Sequence, residues 1–243
     1  MVTRYGVWLD GLPLHEIDPT IFITDIQEQE PKMDVLTAAR ALGDGLRVSK
    51  RTRQSLSVVV RFAIREYSTV RRKAVLQKVI SWARKGRYLS ISDRPGQRLR
   101  VEMDAPPAMS SALKWTQELT LTLTAYSSPF WEDATTTQRS GNGSMYVPGD
   151  APSVTVDAII TDAPETLTIT AGKTSMTLEG LTAGATVRIL HEDGVVKITE
   201  NGASALHKRT AASADELRIV PGKANQVSSS GGQVTFTARG CWL

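Results

Sequence analysis

LTLTLTAYSSPFWED, residues 119–133, changes character twice over a short span. Leu119, Leu121 and Leu123 alternate with Thr120, Thr122 and Thr124, and a period of two with one apolar and one threonine face predicts a half-buried strand. Ser127-Ser128-Pro129 then ends it, because proline lacks an N–H for the ladder and restricts the residue before it. Phe130-Trp131 follows, and Glu132-Asp133 comes directly after. The stretch reads as the last strand of one domain and a hinge (Ser127, Ser128, Pro129, Phe130, Trp131) into another. The expected division is 1–130 and 131–243.

Charge supports the division. Residues 1–130 hold 20 Lys and Arg against 13 Asp and Glu, whereas residues 131–243 hold 9 against 12, so a net +4 chain splits into a basic and a mildly acidic half. With 243 residues, 41% of them hydrophobic, each half can bury a core of its own. No apolar run approaches the roughly 20 residues a bilayer crossing needs. The first residues, MVTRYGVWLDGLPLHEID, carry acids early and do not resemble a secretory signal, so synthesis and assembly in a cytoplasm are expected. Basic residues are not dense enough, nor set in a known motif, to predict specific nucleic-acid binding. Cys241 is a single cysteine, which excludes an intrachain disulfide, and it reads as a small buried or fraying residue.

Working back from residue 119, Tyr5, Val7 and Leu9 alternate ahead of Asp10-Gly11, with Leu12 and Leu14 beyond, which predicts a tight hairpin. Ile21, Ile23 and Ile26 extend the strand pattern. Residues 27–54 lose the period, contain Gly43-Asp44-Gly45 and end in a cationic run, and read as a protruding excursion. Leu56, Val58, Val60, Phe62 and Ile64 then share one strand face, with Ser57, Arg61 and Arg65 on the other. From Ser68 to Gly86 the period is helical, with Ser68 or Thr69 as N-cap and Gly86 as a left-handed stop. Val75, Leu76, Val79, Trp82 and Ala83 form its apolar stripe, opposite Lys73, Gln77, Lys78, Ser81, Arg84 and Lys85. Asp93-Arg94-Pro95-Gly96 predicts a second hairpin, between strands at 89–91 and 99–103.

Beyond Trp131 come short alternating stretches, PSVTVDAII, TLTIT, SMTLEGL, ATVRIL, GVVKITE, ELRIV and QVTFTAR, separated by Gly-containing turns. Such spacing predicts a β-sandwich. TTTQRSGNGSMYVPGD, ahead of them, reads as a connecting loop and a first strand. The fold class is therefore mainly β, a β-rich α+β chain with one amphipathic helix.

Catalytic signals are sparse. His15, His191 and His207 are scattered, with none in a zinc-binding spacing, and no phosphate loop or nucleophile elbow occurs. Asp157, Asp162, Glu192 and Asp193 read as loop charges, not as a glycosidase pair. Trp82 and Trp115 lie on apolar faces and read as core, leaving Trp131 and Trp242 as candidates for stacking on a sugar. No cofactor, metal or catalytic residue is expected.

The order of elements from Gly6 to Trp131 resembles the distal tail (Dit) proteins of long-tailed, non-contractile bacteriophages. The likeness lies in the hairpin around VWLDGLPL, the excursion GDGLRVSKRTRQSLSVVVRFAI, the helix LQKVISWARKGRYLSI, the hairpin through DRPGQRL and the strand TLTAYSSPFWED. The ending PGKANQVSSSGGQVTFTARGCWL is similar to the last strands of the galectin-like sandwich that follows in that family. Ala83 departs from the leucine common after the helix tryptophan. The resemblance implies a non-enzymatic virion protein of the tail tip, or baseplate hub. Its N-terminal domain would build a homo-hexameric ring under the tail tube, and its galectin-like domain would carry tail-tip or receptor-binding proteins. A closed ring needs two different, complementary patches on each subunit. Arg47, Lys50, Arg51 and Arg53 are candidates for one, and Asp25, Glu28, Glu30 and Asp34 for the other. The loops HEDG (191–194) and ENG (200–202) are candidates for docking a partner chain. Two alternatives stand beside this reading: a tail-tube or minor tail subunit, and a carbohydrate-binding module contacting the host cell wall.

Overall fold

A computed structural model describes residues 6–39, 46–107, 116–192 and 194–243. Tyr5, Gly43–Gly45, Trp115 and Asp193, all used in the sequence reading, lie outside the described residues. The chain divides into two compact units, Met1–Trp131 and Glu132–Leu243. It is mostly strand, with one α-helix among the described residues. That helix is not long and apolar enough to cross a membrane.

In the first unit, β1 (Val7–Leu9) turns into β2 (Leu12–Pro13). Asp10 and Gly11 both take positive φ, 49° and 81°, the geometry a two-residue hairpin needs and the reason glycine serves there. Leu14 does not continue β2. It begins a 3-10 turn, Leu14–Glu16, and is buried. The chain continues through β3 (Ile21–Glu28), β4 (Lys32–Ala39), β5 (Leu46–Arg65), α1 (Thr69–Lys85), β6 (Tyr88–Ile91), β7 (Gln97–Arg100), β8 (Glu102–Met103) and β9 (Thr116–Ala125). Two sheets result, one in the order β2-β1-β6-β7 and one in the order β3-β5-β9-β8, with β4 also paired to β5.

The alternation in residues 56–65 and 119–125 is realised. Leu56 to Arg65 pair antiparallel with Ala125 to Thr116, burying Val58, Val60, Phe62 and Ile64 beside Leu119, Leu121 and Leu123. Val59 and Ala63 on the opposite face are buried too, so β5 is covered on both sides there. The helical stripe is buried as read and packs on β5 and β8. Trp82 closes it, its indole N–H donating to the Leu12 carbonyl at 3.0 Å.

Two further expectations fail in this unit. Gly86 ends α1 in an extended conformation (φ −73°, ψ 144°), not a left-handed one. Its glycine is required by close approach, since a Cβ there would lie 2.6 Å from Leu9 Cβ. Residues 99–103 are not one strand. The Val101 N–H still reaches the Arg87 carbonyl at 2.8 Å, in the register of β6 with β7, and from Glu102 the chain pairs with β9 instead, so β7 and β8 enter different sheets.

In the second unit, β10 (Trp131–Asp133) crosses the division, followed by β11 (Thr137–Ser140), β12 (Gly143–Tyr146), β13 (Val154–Thr155), β14 (Asp157–Ala163), β15 (Thr166–Ala171), β16 (Thr174–Glu179), β17 (Ala185–Glu192), β18 (Val195–Glu200), β19 (Ala203–Ser204), β20 (Arg218–Ile219), β21 (Ala224–Ser229), β22 (Gln233–Ala238) and β23 (Cys241–Trp242). A six-stranded sheet, β11-β22-β14-β17-β18-β19, faces a four-stranded one, β12-β21-β15-β16. Ile160, Val187 and Phe236 from the first and Leu167, Met176 and Val227 from the second share one core, the mark of a sandwich. The polar run expected as a loop and one strand forms two, β11 and β12, each paired to a late strand. Its hydroxyl and amide side chains gave no apolar period to read.

Candidate functional site

The first unit carries a two-stranded arm. β4 pairs with the N-terminal half of β5 from Lys32↔Ser55 to Ala39↔Leu46, and among the described strands it pairs with no other. β9 takes the opposite edge of β5 only from Leu56 onward, so residues 46–55 have a single neighbour. Register shifts between Lys32 and Met33 and between Leu36 and Thr37 mark bulges, which bend and twist a ribbon. The arm exposes Met33, Val35, Leu36 and Val48, aliphatic surface a solvated edge has no reason to carry.

The candidate ring residues do not form two remote patches. Asp34 stands opposite Thr52, between the pairs Met33↔Arg53 and Val35↔Arg51, so it lies one strand away from the basic run. The side chains of Arg47, Lys50 and Arg51 lie outside the described residues. Asp25 is on β3 and meets Arg61 at 3.7 Å. Glu30 and Asp34 are exposed.

Glu28 is engaged inside the unit. Its Oε1 accepts from Arg94 Nε at 2.8 Å and its Oε2 from the Trp131 indole N–H at 3.1 Å, while the Arg94 guanidinium lies 5.3 Å from the Trp131 ring centroid. Arg53, at the base of the arm, sits 5.8 Å from the Phe130 ring. Cation–ring contacts of this kind contribute about 0.5–1 kcal/mol when exposed and more when desolvated. The aromatic pair read as a hinge is thus clamped to the first unit. Trp131 is fully buried, so it cannot stack on a sugar. Within the expected hinge only Ser127 is well exposed, next to Tyr126. Tyr126 donates to Asp104 Oδ1 at 2.5 Å, and this bond raises the phenol pKa above its usual value.

In the second unit, Trp242 is half-buried and its indole N–H donates to Asp133 Oδ1 at 2.8 Å. Burial pushes the Cys241 thiol up to about 12, which makes it a poor nucleophile. His191 is enclosed, with its backbone N–H and Nδ1 on Asp157 Oδ1 at 2.8 and 3.0 Å and its Nε2 accepting from Leu217 N–H at 3.3 Å. That acceptor role puts the ring proton on Nδ1. The pair ties the segment before β20 to β14 and β17, a structural task the sequence reading missed because Asp157 and His191 meet only through sheet pairing. Glu192 pairs with Lys197, and Asp162 takes a positive φ of 55° within β14, at the bulge between Ile160 and Ala163. His15 and His207 each lie in a 3-10 turn. Among the described residues no group of three His, Cys, Asp or Glu side chains could hold a metal ion.

Neither a protein-family model nor a curated protein matches the sequence. Solved structures do. The SPP1 Dit protein, described as a paradigm of the hub adsorption apparatus in phages infecting Gram-positive hosts, superposes with a TM-score of 0.76 over 99% of this chain and 100% of its own, at 7% identity. The chain has the Dit fold. The phage P2 baseplate in its activated conformation, with Ca, matches with a TM-score of 0.51 over 98% of each chain at 8% identity, and the Sr form with 0.50 over 96% and 97% at 7%. The Dit fold spans both units, and the resemblance read from the order of elements holds at this level. At such identity the shared feature is the arrangement of strands and helix, not the surface residues.

Proposed function

We propose that this chain is a structural subunit of a phage tail tip, located in the virion after assembly in the host cytoplasm. Six copies of the first domain form a ring beneath the tail-tube protein, and the second domain carries tail-tip or receptor-binding proteins. The observation that supports this most is the near-complete superposition on SPP1 Dit, a hub protein. The exposed aliphatic arm fits it, since a solitary chain gains nothing from such surface. The chain acts as a scaffold, with no catalytic step.

Negative-stain imaging and light scattering of the purified protein test the reading. Closed sixfold rings are expected. Open filaments would favour a tail-tube subunit, and a monomer at all concentrations would overturn both. A carbohydrate-binding role is the weaker reading, because Trp131 is buried and the Trp242 N–H is taken. Tight glycan binding lost on Trp242→Ala would reinstate it.

A further inference from the structure

Two segments of the first unit expose apolar side chains beside charges that no ion pair takes up among the described residues. One is the outer strand of the arm, where Met33, Val35 and Leu36 accompany Glu30 and Asp34. The other is the approach to α1, where Tyr67 is 84% and Val70 79% exposed and Lys73 follows one turn later. The helix has no acid of its own. Its exposed Arg71 is held by Glu66 at 3.1 Å and Lys78 by Asp18 at 3.2 Å, whereas Lys73 has no such partner.

The two segments complement each other in charge and polarity, yet they belong to opposite ends of one strand. Met33 is in register with Arg53, and α1 begins just after the strand ends at Arg65. Roughly 12 residues of extended chain separate these points, about 40 Å. They cannot meet within one copy, so a contact between them has to join two copies. The arm's own basic run is no substitute partner, since it lies beside Asp34 on the same ribbon.

Resting on the ring reading above, we infer that each copy seats the outer strand of its arm, Glu30 to Leu36, on the first turns of the next copy's α1, at Tyr67, Val70 and Lys73. Asp34 faces Lys73, and Leu36, on the same face of β4 as Asp34, covers Val70 and Tyr67. Such a contact joins two different patches, the heterologous arrangement that generates a ring when it closes.

The test uses the full chain and three variants, Lys73→Glu, Asp34→Lys and the two combined, followed by light scattering and imaging. Each single variant places like charges together and raises the half-assembly concentration about tenfold or more. The double variant restores assembly. So does an equimolar mixture of the two single variants, because alternating copies present opposite charges at every contact, a rescue no intrachain pair can give. Val70→Glu, at a position too exposed to affect the monomer fold, weakens assembly as well. Rings from both single variants at wild-type concentration would overturn this interface and leave the ring reading standing. A wild-type chain that never assembles would overturn both. Filaments that respond to the swaps would support the contact and reject closure.

Discussion

The indole N–H of Trp131 donates to Glu28 Oε2 at 3.1 Å, joining residues 103 positions apart. The bond fastens the last residue of the first unit to the end of β3, and Arg94 completes it from the β6–β7 turn. Glu28→Ala should lower the stability of the first unit by about 1–3 kcal/mol, since it leaves a buried indole N–H without an acceptor. Glu28→Gln keeps an oxygen in place and should recover part of the loss. Urea unfolding of the three proteins measures the series, and equal stability of all three would show the clamp to be idle.

Gly86→Ala tests why glycine ends α1. The backbone there is open to any residue, so the expected loss of about 1–3 kcal/mol comes from the added methyl meeting Leu9. Combining it with Leu9→Gly, which removes the Cβ the new methyl would meet, should give less than the sum of the two single losses. Strict additivity in denaturant unfolding would count against the contact.

Glu200 predicts an acid-sensitive element in the second unit. Lys208 Nζ donates to its Oε2 at 2.5 Å and Thr182 N–H to its Oε1 at 2.6 Å, and these bonds, the Lys208 bond foremost, lower its pKa from 4.5 to about 2. A folded-state pKa below the unfolded one adds stability that is complete above pH 4.5 and lost as the pH falls towards 2. Glu200→Gln should flatten the fall in unfolding midpoint across that window. An unchanged slope would remove Glu200 as its source.

Limited proteolysis should find the junction between units on its upstream side. Tyr126 is 57% exposed and precedes the Ser127-Ser128-Pro129 break, whereas β11 and β12 are paired strands. Chymotrypsin is expected to cut after Tyr126 and leave two protected fragments, read by mass spectrometry. First cleavage inside residues 137–146 would contradict this.

Local signals were legible in the sequence. Asp10-Gly11 set a turn, the Leu/Thr alternation set β9, and Ser68 capped α1 by accepting from Arg71 N–H at 3.4 Å. What escaped was created by long-range pairing. Trp131 looked available to a ligand because nothing near it in the chain announces Glu28 or Arg94. His191 looked like a loop residue because Asp157 reaches it only across a ladder. The acidic and basic runs looked like separate patches until the β4–β5 register set Asp34 beside the basic strand. Gly86 was read correctly as a stop and wrongly in conformation, since its partner, Leu9, belongs to a strand made much earlier.

The register of β5 against β9 also sets a delay during synthesis. Leu56 pairs with Ala125 and Arg65 with Thr116. At 5–20 residues per second, the roughly 50–70 residues between partners keep that edge of β5 open for about 3–14 s on the ribosome. SVVVRFAIR is the kind of segment that joins other chains edge to edge while it waits. Arg61 and Arg65, which interrupt it and remain exposed in the folded chain, are placed to keep nascent copies apart until β9 arrives.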